Sequence, residues 1–348
     1  MNRSLYDDDM LNTDDLGAVL PIRNLPRTRK APKPRVRPPN VYDKMEQLAD
    51  VNAQKSNVFH MSYHAARHEA IWLKDSLEGF FDQKFFDDVL RMVKGGKEAS
   101  VYLCQGNEIT GAEFVAAKVY RPRRFRNLKN DGLYREGRGN LDENGNLITN
   151  SGKLHAIRKK TEYGRELLHT SWLEHEVQTL QLLHDAGADV PKPYASGANA
   201  ILMEYFGDDV MSAPTLNDVD LDASEVRGLY ERVIHNIDLM LSHHRIHADL
   251  SAFNILYWDG DIVVIDFPQA VHPQQNASAY RIFERDVVRV CEYFDRYRLQ
   301  LNGIRSDPRR LAADLWRKYN DRMAPQIDPR LLDDDNSDRD LWEDLKNA

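Results

Sequence analysis

The spacing of apolar residues is strand-like over 99–120 and helix-like over the long stretches after residue 170, and that switch limits the fold more than any other feature. Residues 99–120, "ASVYLCQGNEITGAEFVAAKVY", read as two β-rich segments around a glycine-containing turn, a hairpin. From residue 170 the period is helical. "TSWLEHEVQTLQLLHDAG" (170–187) has Thr170 or Ser171 to cap its start and Gly187 to end it. "ASEVRGLYERVIHNIDLMLSHH" (223–244) puts Val226, Tyr230, Val233, Ile237 and Leu241 on one stripe. "VPKPYASG" reads as a connector, "AILMEYFG" (200–207) and "DIVVIDF" (261–267) as short buried strands, and 278–321 as mostly helical. A β-rich part followed by an α-rich part, joined at a hinge near Gly207, predicts an α+β fold in two lobes.

Before residue 99 the expectations are different. "VYDKMEQLADVNA" and "FFDQKFFDDVLRMV" carry apolar residues at helical spacing, which predicts a helical extension over 41–92. The net charge of -8 conceals two opposite ends. "RNLPRTRKAPKPRVRPPN" is basic and proline-rich, whereas "DDDNSDRDLWEDLKNA" is mostly acidic. Both compositions suit solvated, disordered tails. The basic arm could alternatively touch RNA phosphates, and without interleaved aromatics such contact would be non-specific. The expected organisation is therefore an arm (1–40), a helical extension (41–92), a first lobe (93–206), a second lobe (207–325) and an acidic tail (326–348). Within the first lobe, 121–165 is rich in Arg, Gly and Asn with little periodicity, and a loop of that length inside a domain is functional or misassigned.

Composition excludes several classes. No apolar run approaches the roughly 20 residues that span a bilayer, and "MNRSLYDDDML" lacks the layout of a secretory signal. Cys104 and Cys291 are too far apart in sequence for a CxxC metal site or a disulfide framework. A cytoplasmic, membrane-free protein is the expectation.

Four polar features then stand out against this framework. Alternation puts Lys118 on one face of "FVAAKVY" with Phe114, Ala116 and Tyr120, where it either snorkels to solvent or meets a buried anion. Glu176 shares the inward stripe of its helix with Leu173 and Leu180 and so needs a cation, for which Lys118 is the natural candidate in a structural or functional pair. Asp249 and Asn254, five apart in "HADLSAFNIL", have the spacing of a kinase catalytic loop, although an Asp-capped turn would look similar. Asp266 ends a buried strand, where a carboxylate is a turn former or a ligand for a hard cation. Together these groups suit phosphoryl transfer, which needs positioning and charge neutralisation.

"GGKEASVY", "AAKVYRPRRFR", "WLEHE", "HADLSAFNIL" and "IDFPQAV", in this order over roughly residues 80–300, resemble the RIO family of atypical serine/threonine protein kinases. "HADLS" and "GKEASVY" look like the first RIO subfamily or a prokaryotic relative, while "IDFPQ" is closer to the second. The resemblance implies a bilobal protein-kinase-like fold without an activation segment, ATP and Mg²⁺ (or Mn²⁺) as cofactors, and 121–165 as the family's flexible loop. It implies that Gly95, Gly96, Lys97 and Ser100 cradle phosphates, that Lys118 contacts them, and that Glu176 holds Lys118. Val101 and Ala116 would roof the adenine, and Met203, Glu204 and Tyr205 would line the hinge. Asp249 would be the catalytic aspartate, with Asn254 and Asp266 as metal ligands. Some relatives are thought to phosphorylate that metal-site aspartate and to act in small ribosomal subunit maturation, so a ribosomal precursor is an implied partner. Thr149, Ser151 and Thr161 are candidate autophosphorylation sites. A small-molecule phosphotransferase of the aminoglycoside type and a non-catalytic nucleotide-bound scaffold are the alternatives.

Overall fold

In the computed structural model, which describes residues 59–96, 98–121, 138–197, 199–297, 301 and 307–320, the alternation of one strand decides how the first lobe is layered. The expectations for 1–40, for "VYDKMEQLADVNA", for Lys97 and for 326–348 lie outside the described residues. Helix α1 (Arg67–Asp82) precedes strands β1 (Phe86–Gly95), β2 (Ala99–Gly106) and β3 (Phe114–Tyr120). Helices α2 (Ser151–Arg158) and α3 (Glu162–Asp185) follow, then β4 (Pro193–Ser196) and β5 (Ala200–Glu204). The five strands form one antiparallel sheet in the order β1-β2-β3-β5-β4.

On one face, Val115, Ala117 and Val119 of β3 pack with Val89, Tyr102, Cys104 and Leu202 beneath Leu73, Leu77, Phe80 and Phe81 of α1. Each of the Val, Leu and Phe side chains among them contributes roughly 1.5–3 kcal/mol when fully buried. On the other face, Tyr120 and Ile201 meet Trp172 and Leu173 of α3. Ala116 and Lys118 share that face but open into a cleft. The β-pleat read in the sequence thus sends Lys118 away from the α1 core.

The second lobe is built from α4 (Val226–Ser242), the hairpin β6 (Ile255–Trp258) and β7 (Asp261–Val264), α5 (Ala279–Phe294) and α6 (Pro308–Asn320). All five residues of the expected α4 stripe are buried in one core with α5 and α6. The β-rich first part and helical second part agree with the α+β, kinase-like expectation. No helix among the described residues is long and apolar enough to cross a membrane. Both cysteines are buried.

Several local expectations are corrected. "FFDQKFFDDVLRMV", expected as helix, instead holds the end of α1 and most of β1. Lys84 adopts φ +63 between them, and β1 takes its hydrogen bonds from β2, a long-range partner that periodicity cannot report. The helix expected to start at Thr170 or Ser171 starts at Glu162: Thr161 is its cap, accepting from the Gly164 N–H at 3.0 Å. Ser171 is buried and accepts from the Leu141 N–H at 2.8 Å. The stretch 121–165 is not free of secondary structure, since it contains α2, capped by Asn150, and a Leu141–Leu147 bridge. The "VPKPYASG" connector supplies β4.

Candidate active site

A cleft of about 590 Å³ lies between the sheet and the second lobe. It is lined by Gly96, Val101, Ala116, Lys118, Glu176, Met203, Glu204, Tyr205, Asp249, Asn254 and Asp266, eleven of the residues singled out in the sequence. Gly95 and Ser100 do not line it. They face each other in the β1–β2 register, and Ser100 is buried. The turn at the cleft's edge is tight: the Gly96 N–H donates to the Ala99 carbonyl at 2.9 Å, and a Cβ on Gly96 would come within 2.8 Å of that oxygen. A glycine there is a packing requirement.

Lys118 sits at the centre of the charge arrangement. Its Nζ lies 2.6 Å from Glu176 Oε1 and 2.6 Å from Asp266 Oδ1. Glu176 is only 1% exposed, and its second oxygen accepts from the Tyr120 hydroxyl. Burial pulls the Lys118 ammonium pKa down, but Asp266 and Glu176 outweigh it and hold the pKa well above the ordinary lysine range. Burial likewise raises Asp266, yet Lys118, helped by His247 and Lys94, keeps it below the usual carboxylate range. Asp266 is therefore ionised beside a charged Lys118.

Burial in the second lobe's core explains the path of "HADLSAFNIL". Ala248, Leu250 and Ala252 are buried in the lobe's core, which turns Asp249 out to 46% side-chain exposure. The backbone at Ala248 is left-handed (φ +70), and its N–H donates to the buried Asp286 carboxylate of α5 at 2.7 Å. Asp249 N–H donates to His247 Nδ1 at 3.3 Å, while His247 Nε2 sits 2.9 Å from the Ile265 carbonyl. Asn254 Nδ2 donates to the Asp249 carbonyl at 2.9 Å, which leaves the Asn254 amide oxygen as the acceptor atom. Ile265 N–H donates to the Asn254 carbonyl at 3.0 Å and so brings Asn254 beside Asp266. Asp266 is itself left-handed (φ +74), a conformation worth about 1–3 kcal/mol of strain for a non-glycine residue. Asn254 and Asp266 present an amide oxygen and an ionised carboxylate, the hard oxygen donors that Mg²⁺ or Mn²⁺ takes, so the residues fit a divalent cation.

Three features escaped the sequence reading. Lys94 and Asp218 line the cleft beyond the turn, and Asp218 is held below the usual range by its bond from the Thr215 hydroxyl at 2.7 Å, with Lys94 adding. Arg289 of α5 lies 3.1 Å from Asp249 Oδ1, and no local motif links residues forty apart. Arg138 donates to the Pro268 carbonyl through both terminal nitrogens at 3.2 Å and to the Ala270 carbonyl, tying the first lobe's insertion to the segment behind Asp266.

That insertion also docks through His175, whose Nε2 bonds the Gly139 carbonyl at 2.8 Å. Burial lowers the His175 pKa to about 4, with Arg138 and Arg245 adding and the Gly139 bond opposing. Between pH 6.5 and about 4 the unfolded chain binds a proton that the folded chain refuses, so stability falls as pH drops through this window. The loss has a ceiling of about 3 kcal/mol. Urea midpoints at pH 7 and pH 5 should diverge more in the wild type than in His175→Gln; equal divergence would contradict this account.

A family model described as a RIO domain matches residues 133–306, half of the chain. The RIO-type serine/threonine-protein kinase Rio1 of Thermoplasma acidophilum is 32% identical over 147 residues, covering 42% of this chain and 73% of the archaeal protein. The Rio1 of Haloferax volcanii is 29% identical over 257 residues, 66% of this chain and 77% of its own. The human serine/threonine-protein kinase RIO1 is 33% identical over 136 residues, 39% of this chain but only 24% of the human protein's length.

Proposed function

Because this chain belongs to the RIO family of atypical protein kinases, we propose that its cleft binds ATP with a divalent cation and transfers the γ-phosphate to a serine or threonine hydroxyl of a protein, including its own. The observation that carries this reading is Lys118, held by the carboxylates of Glu176 and Asp266 in a cleft that Asp249 and Asn254 also line. Lys118 contacts the α- and β-phosphates, and Glu176 fixes its direction. Asn254 and Asp266 hold Mg²⁺, or Mn²⁺, which supplies charge neutralisation at the phosphates. Asp249 orients the acceptor hydroxyl and takes its proton. Val101 and Ala116 cover the adenine, and Met203 to Tyr205 border it. Gly207, left-handed at φ +134, ends this border; a Cβ there would come within 2.4 Å of the Met211 carbonyl. Maturation of the small ribosomal subunit is the proposed setting, supported by family resemblance alone.

Incubating the pure protein with ATP labelled at the γ-phosphate and Mg²⁺ tests the reaction. Acid-stable label on the protein, or on an added protein, is the expected result. Label released by hydroxylamine would mark an acyl phosphate and point to Asp266. Transfer to an added aminoglycoside instead would support the small-molecule phosphotransferase. ATP binding without turnover, unchanged by Asp249→Ala, would support the scaffold.

A further inference from the structure

α5 grips the catalytic loop at two levels. Asp286 accepts the Ala248 N–H, and Arg285 donates to the Ala248 carbonyl, so the peptide before Asp249 is clamped from both sides. One helical turn on, at the i+4 position that places it on the same face as Arg285, Arg289 reaches the Asp249 side chain itself. Its NH1 donates to Asp249 Oδ1 at 3.1 Å, whereas the contact from Asn254 Nδ2 to Oδ2 is long, at 3.4 Å. Arg289 is 28% exposed and rises from a helix whose neighbouring Val287, Val290 and Cys291 are in the core, so its base is fixed. Asp249, by contrast, is 46% exposed and would rotate freely on its own two side-chain torsions.

We propose that Arg289 is a positioning residue for phosphoryl transfer: it holds Asp249 by Oδ1 and leaves Oδ2, on the Asn254 side, to take the proton of the acceptor hydroxyl. The inference rests on the kinase reading above. Arginine suits the task because its guanidinium stays charged and its rigid fork fixes a carboxylate's direction as well as neutralising it. Arg289 bonds Asp249 but does not itself line the cleft, so its removal slows turnover without weakening ATP binding.

The test compares Arg289→Gln, Arg289→Lys, Asp249→Asn and the double variant Arg289→Gln/Asp249→Asn in full-length protein, with transfer rates and ATP affinity measured on each. Arg289→Gln should lower kcat by about 10- to 100-fold, the range a misplaced catalytic group costs, with KM for ATP within about twofold. Arg289→Lys should recover most of the loss. Adding Arg289→Gln to Asp249→Asn should cost nothing further, because the two act as one unit. ATP binding by each variant reports that it is folded, and Arg289→Lys carries the comparison if the glutamine variant does not fold: a modestly lowered kcat with wild-type KM is then expected, because lysine keeps the charge but not the fork, and an unchanged kcat or a raised KM overturns the proposal. Unchanged kcat in Arg289→Gln, a loss confined to KM, or losses that multiply in the double variant would each overturn it while leaving the kinase reading in place. Absence of transfer by the wild type would remove the kinase reading and this inference together.

Discussion

Asp249→Asn is expected to slow phosphoryl transfer by about 10²- to 10⁴-fold, the contribution of a positioned proton acceptor, while ATP still binds with nearly wild-type affinity. The loop should keep its path, because buried Ala248, Leu250 and Ala252 and the Asp286 bond set it independently of the Asp249 carboxylate. The Asp249 carbonyl still accepts from Asn254, so that side chain also stays in place. What is lost is a negative oxygen facing the acceptor and the ion pair with Arg289. That pair is partly exposed on both sides, so its loss should cost no more than about 1 kcal/mol of stability. Single-turnover rates and calorimetric ATP titration check both halves. A rate within threefold of the wild type would mean that Asp249 is not the group that handles the acceptor proton.

Lys118→Met is expected to do the reverse kind of damage, weakening both ATP binding and the fold. Glu176 is almost completely buried and would lose its cation, and breaking such a pair from one side typically costs about 3–5 kcal/mol. The Tyr120 hydroxyl still bonds its other oxygen and offsets part of this. Asp266, with 45% side-chain exposure, can turn to water and suffers less. The double variant Lys118→Met/Glu176→Gln should recover most of the stability but none of the ATP affinity, which separates the structural role of the pair from its role toward phosphate. Urea unfolding and nucleotide titration measure the two. If Lys118→Met unfolded at the wild-type midpoint, Glu176 would have another cationic partner in solution. The linkage signs follow from the shifts. The raised Lys118 pKa means its contribution is complete at neutral pH and is lost only at pH above the ordinary lysine range. The lowered Asp266 pKa means its contribution is present at neutral pH and is lost in acid.

The parts of the fold that were legible were those where a single element's period carries the information. β3 alternates, and its two faces do go to the α1 core and to the cleft. The α4 stripe is buried at every expected position. Glu176 was placed inward from helical spacing alone, and Lys118 is its partner. The failures lie where a partner distant in the chain decides. Residues 86–93 carry an apolar pattern compatible with helix, and β2 makes them a strand. The start of α3 moved to Glu162 because Thr161 makes the capping bond, whereas Ser171 is engaged by Leu141.

"HADLSAFNIL" shows the same division within one loop. Residue types and spacing were sufficient to mark Asp249, Asn254 and, two residues beyond the end of β7, Asp266 as a set of oxygen donors, because cation and proton chemistry demand those groups. Which oxygen of Asp249 is held, and by what, depended on Arg289, forty residues on, brought close by the packing of α5 against the loop. Ser100 was drawn to the phosphates by its place in "KGGKEAS", but pairing in the sheet buried it. Local chemistry is written in adjacent residues and can be read there. Side-chain direction and ion pairing arise from close packing of elements far apart in the chain, so only the tertiary structure decides them.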